Sequence, residues 1–282
     1  MPDWVENDIA VNNVNIHYCR TGGDKPPLIL LHGVTDNGLC WTPAAEVLEE
    51  RYDVIMVDAQ GHGRSGRVDP NFSGQSHVDH VAGLVKDLKL DKPVLMGHSM
   101  GGSTAANIAA QHPDLPRAII LEDPGWRGRV KSGPDQDNGN QTANNREQSR
   151  LFEKWIADLQ KQSLEEVVQQ GRENSPAWSE KELVPWAESK LLFDPAVFSG
   201  LSPGGSSYQK VVPHITCPIL LITSDPDKGG IVSPETAEHA STLWGKDSLS
   251  EWVRIEGAGH NIRREQFEAY MSAVLNFSDK IR

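Results

Sequence analysis

The sequence is poor in the features that would assign it to several large classes of protein. Its 282 residues include only three cysteines, an odd number with no C-x-x-C pair. Lysine and arginine number 27 against 39 acidic residues, which gives a formal net charge of −12. This balance argues against nucleic acid or an anionic membrane surface as the main partner, because both require a basic footprint. We therefore expect no nucleic-acid partner and no membrane partner.

Long apolar runs are also missing. The longest, near 28–31 and 218–223, have the length of strands, well short of the roughly 18–20 residues of a membrane span. The amino-terminal residues show neither the basic nor the apolar region of a secretory signal. Sparse, scattered cysteines are typical of free thiols in a reducing compartment. We therefore expect a cytoplasmic protein, and the sequence leaves a monomer and a homodimer open.

Short apolar runs alternate with helical patterns along most of the chain. A β-hairpin is predicted first, with its turn at Asn12-Asn13. The later runs lack the alternation of a half-buried strand, which indicates strands buried on both faces. These runs cover 28–31, 54–57, 94–96, 119–121, 219–222 and 252–255. The succession of strands and helices predicts an α/β protein with a doubly wound, mostly parallel sheet.

One long segment interrupts this succession. Within it, 127–146 is rich in glycine, asparagine and aspartate and is predicted to be a mobile loop. No clear strand follows until after residue 213. We predict that 126–213 is a helical cap (lid), inserted into a core formed by 1–125 and 214–282.

Helical and aromatic patterns fill the second half of the inserted segment. Residues 150–170 and 180–192 have helical periodicity, and capping boxes are predicted to begin at Ser163 and Ser179. Several tryptophans in this segment could line an apolar substrate pocket. They are Trp126, Trp155, Trp178 and Trp186. The alternative is an ordinary helical excursion that packs on the sheet and touches no ligand.

A G-x-S-x-G motif, Gly97-His98-Ser99-Met100-Gly101, directly follows an apolar run and opens a helical stretch. A serine between a strand and a helix must occupy a sharp turn, and flanking glycines remove the Cβ atoms that would clash there. The amino terminus of the helix favours negative charge that develops beside the serine. Ser99 is therefore the predicted nucleophile.

A serine nucleophile needs a base, and ten histidines are available. His260 follows the run 252–255 and a flexible Gly257-Ala258-Gly259 loop, which places it at the carboxyl edge of the sheet. His77 and His80 share one helix face, but no further metal ligand is evident. We therefore predict His260 as the base and expect His77 and His80 to be solvated rather than bound to a metal.

The oxyanion of an acyl-transfer reaction needs two backbone donors. The amide of Met100, directly after the predicted nucleophile, is the first candidate. The second should come from the loop after 28–31, where the amide of Val34 follows His32-Gly33. Gly33 would let the backbone approach a substrate closely.

Four motifs in this order resemble those of the α/β-hydrolase superfamily, over nearly the full chain. They are Leu31-His32-Gly33, Asp58-Ala59-Gln60-Gly61-His62-Gly63-Arg64-Ser65, Gly97-His98-Ser99-Met100-Gly101-Gly102 and Gly257-Ala258-Gly259-His260. The resemblance implies an eight-stranded sheet, a cap over the active site, and neither cofactor nor metal. It is greatest to small esterases and lactonases, beside enol-lactone and carbon–carbon hydrolases. A serine nucleophile counts against haloalkane dehalogenases and epoxide hydrolases, which use aspartate.

The resemblance leaves the acid of the catalytic triad open. In the family the acid usually follows the seventh strand, where Asp225 lies just past the strand tip and Asp227 fits the usual distance. A second family position lies at the tip of the sixth strand, where Asp123 follows Ser99 by 24 residues and adjoins Glu122. We take Asp225 as the first choice and Asp123 as the main alternative.

These groups predict a serine hydrolase that cleaves a carboxylic ester or lactone of a mostly apolar small molecule. Ser99 attacks the acyl carbon, His260 moves the proton to the leaving group, and the Val34 and Met100 amides bind the oxyanion. A carbon–carbon hydrolase or a cofactor-free haloperoxidase of the same fold is left open. So is a small-molecule receptor with little turnover.

Overall fold

Eight strands form one sheet in the computed structural model, which describes residues 4–127, 150–201, 206–245 and 249–281. The strands of this sheet are β1 (Val5–Val11), β2 (Val14–Arg20), β3 (Pro27–Leu31), β4 (Asp53–Val57), β5 (Val94–His98), β6 (Ala118–Glu122), β9 (Ile219–Thr223) and β10 (Glu251–Arg254). Their spatial order is β1-β2-β4-β3-β5-β6-β9-β10. β2 pairs antiparallel with β1 and β4, and all other neighbours are parallel. The predicted α/β fold with a mostly parallel, eight-stranded sheet is confirmed.

Helices connect most of the parallel strands. They are α1 (Thr42–Leu48), α2 (Gly74–Asp87), α3 (Met100–Gln111), α4 (150–159), α5 (Leu164–Asn174), α6 (Glu180–Leu192), α7 (Val197–Gly200), α8 (Tyr208–Val211), α9 (Pro234–Ser241), α10 (Ile262–Glu265) and α11 (Phe267–Lys280). Short 3₁₀ turns cover Gly38–Trp41, Val212–His214 and Pro226–Lys228. None of the helices in the described ranges is both long and apolar enough to cross a membrane.

The central strands β3, β4, β5, β6 and β9 are buried on both faces, which explains why they read as unbroken apolar runs. Successive residues of β3 point to opposite sides, so Ile29 and Leu31 pack with α2 and α3. Leu28 and Leu30 pack on the other side with α1 and α11. The carboxyl ends of β3, β5, β6 and β9 therefore lie side by side at one edge, where functional groups can meet.

The described residues between β6 and β9 lie mostly in helices. Two short strands, β7 (Trp126–Arg127) and β8 (Ser206–Ser207), pair with each other there, although the sequence predicts no strand in this segment. The predicted mobile loop, 127–146, lies outside the described residues beyond its first position. We call the described residues 150–201 the cap segment.

The helical pattern over 150–170 predicts one helix, but this part of the cap segment contains two. α4 ends at 159, and α5 begins after Ser163. The predicted capping box at Ser163 is confirmed, because the Glu166 amide donates to Ser163 Oγ (3.3 Å) and the Ser163 amide donates to the Glu166 carboxylate (2.8 Å). This capping satisfies two amides at the amino terminus of α5, so a new helix can begin there.

The second predicted capping box, at Ser179, is wrong in part. Ser179 caps α6, because its Oγ accepts from the Lys181 amide at 3.3 Å. Glu182, the expected partner, is buried and instead binds the guanidinium groups of Arg263 and Arg264. A buried carboxylate needs cations more than it needs a backbone amide, and this demand overrides the local motif.

Candidate active site

Ser99 lies in the turn that joins β5 to α3, with φ 51° and ψ −110°. A positive φ costs a residue other than glycine roughly 1–3 kcal/mol, so neighbouring bonds must hold it in place. The Ser99 amide donates to the carbonyl of Glu122 (2.9 Å), and the Ser99 carbonyl accepts from the Gly125 amide (2.9 Å). The turn is thus fixed to the residues around the end of β6.

The two glycines that flank the serine are required by close backbone contacts. A Cβ atom on Gly97 would lie 2.3 Å from the carbonyl oxygen of Gly101. A Cβ atom on Gly101 would lie 2.1 Å from the carbonyl oxygen of Leu31, at the end of β3. Glycine at both positions therefore allows α3 to begin directly against the sheet edge.

The loop after β3 carries the predicted oxyanion donor. His32 Nε2 accepts from the Ala59 amide at 3.0 Å, so His32 Nδ1 is the protonated nitrogen and donates to the Gly33 carbonyl at 2.8 Å. Burial lowers the pKa of His32 and so favours its neutral form. Val34, which follows Gly33, lines the cavity beside Ser99 together with Met100. The structure thus brings both predicted oxyanion residues to the nucleophile.

His260 is bound to the carboxylate of Asp123, with 2.6 Å between Nδ1 and Oδ2. Asp123 is fully buried directly after β6 and has φ 38°. Its carboxylate also accepts from the amides of Ile231 (2.9 Å) and Val232 (3.0 Å). Three donors therefore surround this carboxylate. With Nδ1 occupied, Nε2 is the nitrogen of His260 that can accept the proton of Ser99.

The prediction that Asp225 reaches His260 is wrong. Its Oδ1 accepts from Arg254 Nη2 (2.7 Å), and its Oδ2 accepts from the Gly257 amide (2.8 Å). The Arg254 guanidinium and this amide hold the pKa of Asp225 below its usual value. Asp227 is exposed on the following 3₁₀ turn. These contacts turn Asp225 towards β10, whereas the alternative, Asp123, contacts the imidazole.

Six charged side chains are buried together beside the site. They are Asp36, Glu122, Glu182, Lys190, Arg263 and Arg264, and each side chain is at most 6% exposed. Three carboxylates thus face three cations, so the group is neutral when all six are ionised. We call these six residues the buried ion network.

The buried ion network joins three parts of the molecule. Asp36 follows the oxyanion loop and binds Lys190 of α6 (2.8 Å) and Arg264 of α10 (2.9 Å). Burial alone would raise the pKa of Asp36, but these cations hold it well below its usual value. Glu182 of α6 binds Arg263 at 3.3 Å and also contacts Arg264. The network therefore ties the cap segment to the loops that carry Val34 and His260.

Glu122, the remaining candidate for the acid, belongs to this network rather than to the triad. Its Oε1 accepts from the Arg263 amide (2.9 Å), and its Oε2 lies 3.2 Å from Arg263 Nη1. Burial raises the pKa of Glu122, and the charge of Arg263 opposes that rise. Glu122 thus fixes α10, which begins two residues after His260.

His98, which precedes Ser99 in the G-x-S-x-G motif, contacts His260 directly. Its Nε2 donates to the carbonyl oxygen of His260 at 2.9 Å, and the two rings lie 4.6 Å apart. Burial and the neighbouring His260 hold the pKa of His98 well below its usual value, so this ring stays neutral. Sequence analysis missed this contact, because 162 residues separate the partners.

Two cavities meet at Ser99, with volumes of about 770 and 370 Å³. Trp155, Trp178 and Trp186 all line the smaller one, so the structure places these predicted pocket residues near the nucleophile. Trp126 was predicted with them, and that prediction is wrong. Its ring stacks on Tyr208, 5.6 Å between centroids, and it is absent from the described lining of both cavities.

The prediction that His77 and His80 are solvated is also wrong. They are only 3% and 7% exposed, because α2 packs that face against the sheet. His77 Nε2 donates to the Gln60 carbonyl (3.2 Å), and burial lowers the pKa of His77 to about 4. Within the described ranges, no three His, Cys, Asp or Glu side chains are grouped as a metal ion would require.

Comparison with known proteins places this geometry in a family. The chain is 25% identical to the 2-(acetamidomethylene)succinate hydrolase of Mesorhizobium japonicum, over 98% of this chain and 96% of that protein. It is 26% identical to the N-formylmaleamate deformylase of Pseudomonas putida, over 96% of each chain.

Solved structures agree on the fold. The N-formylmaleamic acid deformylase of Pseudomonas putida S16 superimposes with a TM-score of 0.75 at 23% identity, over 96% of this chain and all of that one. A thermophilic esterase from Thermogutta terrifontis gives 0.72 at 22% identity, over 98% and 99% of the two chains. A family model described as the alpha/beta hydrolase family matches residues 28–273. The chain therefore belongs to the alpha/beta hydrolase family.

Proposed function

We propose that this protein is a serine hydrolase that cleaves a carboxylic ester or lactone through an acyl-enzyme on Ser99. The observation that carries the proposal is the 2.6 Å bond between His260 Nδ1 and Asp123, at the sheet edge where Ser99 occupies a left-handed turn. Asp123 holds the imidazole in the tautomer whose Nε2 is unprotonated. Such an imidazole can accept the serine proton as Oγ attacks the acyl carbon.

The later steps use the same groups, with His260 acting first as an acid and then again as a base. The amides of Val34 and Met100 bind the negative oxygen of the tetrahedral intermediate. The imidazolium of His260, stabilised by Asp123, gives its proton to the leaving oxygen as the carbon–oxygen bond breaks. Water then attacks the acyl-enzyme with His260 as base, and Ser99 is regenerated. In this mechanism the cap segment supplies walls of the substrate site.

The experiment is labelling with a fluorophosphonate, followed by steady-state hydrolysis of a p-nitrophenyl ester and a lactone series. Ser99→Ala should lose both labelling and turnover. The matched control is Ser241→Ala, because Ser241 lies at the end of α9, away from both cavities. Labelling that persists in folded Ser99→Ala would place the nucleophile elsewhere and refute the proposal.

A second candidate is a hydrolase of a carbon–nitrogen or carbon–carbon bond with the same catalytic groups. It is favoured by the names of the two relatives, one acting on 2-(acetamidomethylene)succinate and the other on N-formylmaleamate. Rates on an ester, its matched N-acyl analogue and a β-diketone would separate the candidates. Ser99-dependent turnover that is faster on either of the last two than on the ester would favour the second candidate.

A further inference from the structure

Ser99 stands at the junction of two cavities of different character. Both are lined by Val34, Ser99 and Phe152, so the nucleophile and one oxyanion residue face each of them. Phe152 comes from α4 of the cap segment and forms their common wall. A substrate with two halves on either side of its scissile bond can therefore extend in two directions from Ser99.

The remaining catalytic groups divide between the cavities. His260 lines the smaller cavity, and Met100 lines the larger one. The leaving group must lie on the side of His260, because the imidazole delivers a proton to it. We infer that the leaving half of the substrate occupies the smaller cavity and that the acyl half, carrying an anionic group, occupies the larger one. This inference rests on the proposed function.

The smaller cavity suits a flat, apolar leaving half. Trp155, Trp178 and Trp186 supply much of its wall, and the Trp178 and Trp186 rings meet edge to face at 5.8 Å. Two cations, Lys190 and Arg264, also line this cavity. Both are bound to Asp36, so neither offers an uncompensated charge to a ligand. Aromatic surface thus dominates recognition here.

The larger cavity differs in its charge. Among its described lining residues, the one permanently charged side chain is Lys210 of α8. No carboxylate in the described part of the chain forms an ion pair with Lys210, which is an exposed residue. The lining of the same cavity also includes the polar residues Ser73, Gln75 and Ser103. In a protein of net charge −12, this cation marks the place where a carboxylate on the acyl half is most favoured.

The two halves separate during the reaction, and this separation gives a test. In the acylation step, Ser99 Oγ bonds to the acyl carbon, the bond to the leaving oxygen breaks, and His260 transfers the serine proton to that oxygen. The smaller cavity is then vacated. Deacylation by water involves the acyl half alone, so the tryptophans of the smaller cavity should influence acylation and not deacylation.

The experiment uses a matrix of esters that pairs neutral or ω-carboxylate acyl groups with aryl or small alkyl leaving groups. Trp155→Ala is the first variant, because Trp155 is 37% exposed and its loss threatens the fold little. It should lower the preference for aryl over alkyl leaving groups about tenfold in kcat/KM and leave the deacylation rate constant unchanged. Leu151→Ala, an exposed position on the same helix, is its control.

Lys210→Met is the second variant. It should lower kcat/KM for ω-carboxylate esters about threefold to tenfold relative to neutral ones, whatever the leaving group. It should also slow deacylation of the carboxylate acyl-enzyme. Lys86→Met, an exposed lysine of α2 that lines neither cavity, is the control.

The outcomes are distinguishable. If Trp155→Ala changes deacylation or acyl preference, or Lys210→Met leaves the carboxylate preference intact, the assignment of halves is overturned. If the ester matrix gives no turnover that depends on Ser99, the proposed function itself fails. Turnover lost in Ser99→Ala, together with reversed effects of the two variants, would keep the function and exchange the two cavities.

Discussion

The two sides of the active site are held in place by different means. On the sheet side, Ser99 and Asp123 are fixed by backbone geometry, through left-handed residues and hydrogen bonds to main-chain amides. On the side of the cap segment, the contact with the core depends on salt bridges, chiefly those of Arg264 with Asp36 and Glu182. The main chain thus positions Ser99 and Asp123, and salt bridges position the cap segment that faces them.

This difference separates chemistry from stability. Asp123 accepts from two main-chain amides, so the structure around it should be largely kept when this side chain loses its charge. A carboxylate within the buried ion network leaves an uncompensated buried cation when it is neutralised. Substitutions on the sheet side should therefore abolish turnover in a folded protein, whereas substitutions in the network should weaken the fold more than the chemistry.

The largest effect is expected from Asp123→Asn. An amide cannot hold His260 in the required tautomer or stabilise the imidazolium, so kcat should fall by about four powers of ten with little change in KM. The measurement is steady-state hydrolysis of a p-nitrophenyl ester, with the unfolding temperature followed in parallel. Asp225→Asn is the control and should keep near-normal kcat. The reverse pattern would return the acid to the position after β9.

A smaller effect, on stability, is expected from Glu182→Gln. Removing one charge from the buried ion network should lower the free energy of unfolding by about 3–5 kcal/mol, because Arg263 and Arg264 lose a buried partner. Urea denaturation measures the change. Glu180→Gln on the same helix is the matched control, since Glu180 pairs with Arg172 at the surface, and a much smaller loss of stability is expected there. Equal losses would contradict the contrast between network and surface.

The neutral histidines behind the sheet edge predict acid sensitivity. The pKa of His77 falls from about 6.5 in the unfolded chain to about 4 on burial, so the unfolded state takes up the proton first. Stability should be complete above about pH 6.5 and decline as the pH falls to about 4, by about 3 kcal/mol for His77 alone. Unfolding followed by denaturant at several pH values tests this, and His77→Gln should flatten the decline. An unchanged slope in that variant would remove His77 as its source.

The mildest change is expected from Arg254→Met. Arg254 is 41% exposed and binds Asp225 outside the triad, so its loss should change the free energy of unfolding far less than Glu182→Gln does. The rate of ester hydrolysis should stay near that of the wild type. A large loss of activity would show that the contacts of Asp225 support the His260 loop after all.

Much of the fold could be predicted from the sequence, because a parallel sheet buried on both faces leaves a clear local signature. The apolar runs mark the strands, and the glycines around Ser99 mark a turn that other residues cannot adopt. His260 could be found because it follows a strand and a glycine loop. Each of these signals lies within about ten consecutive residues of the chain.

The features that sequence analysis missed depend on pairing across long separations. Whether Asp123 or Asp225 reaches His260 is decided by which competing donors surround each carboxylate, and Arg254 settles that for Asp225. The buried ion network spans positions 36 to 264, so no local pattern could reveal it. Trp126 was misplaced for the same reason, since its stacking partner, Tyr208, lies 82 residues further along the chain.

The left-handed conformation of Ser99 has a consequence for how this protein can evolve. Every copy folds with an unfavourable backbone angle at the one residue that carries the proposed chemistry. Glycine tolerates that angle without strain, so selection for robustness alone would remove the hydroxyl and retain the shape. A lineage that no longer needed turnover could therefore become a more stable, inactive binding protein by replacing this one serine with glycine.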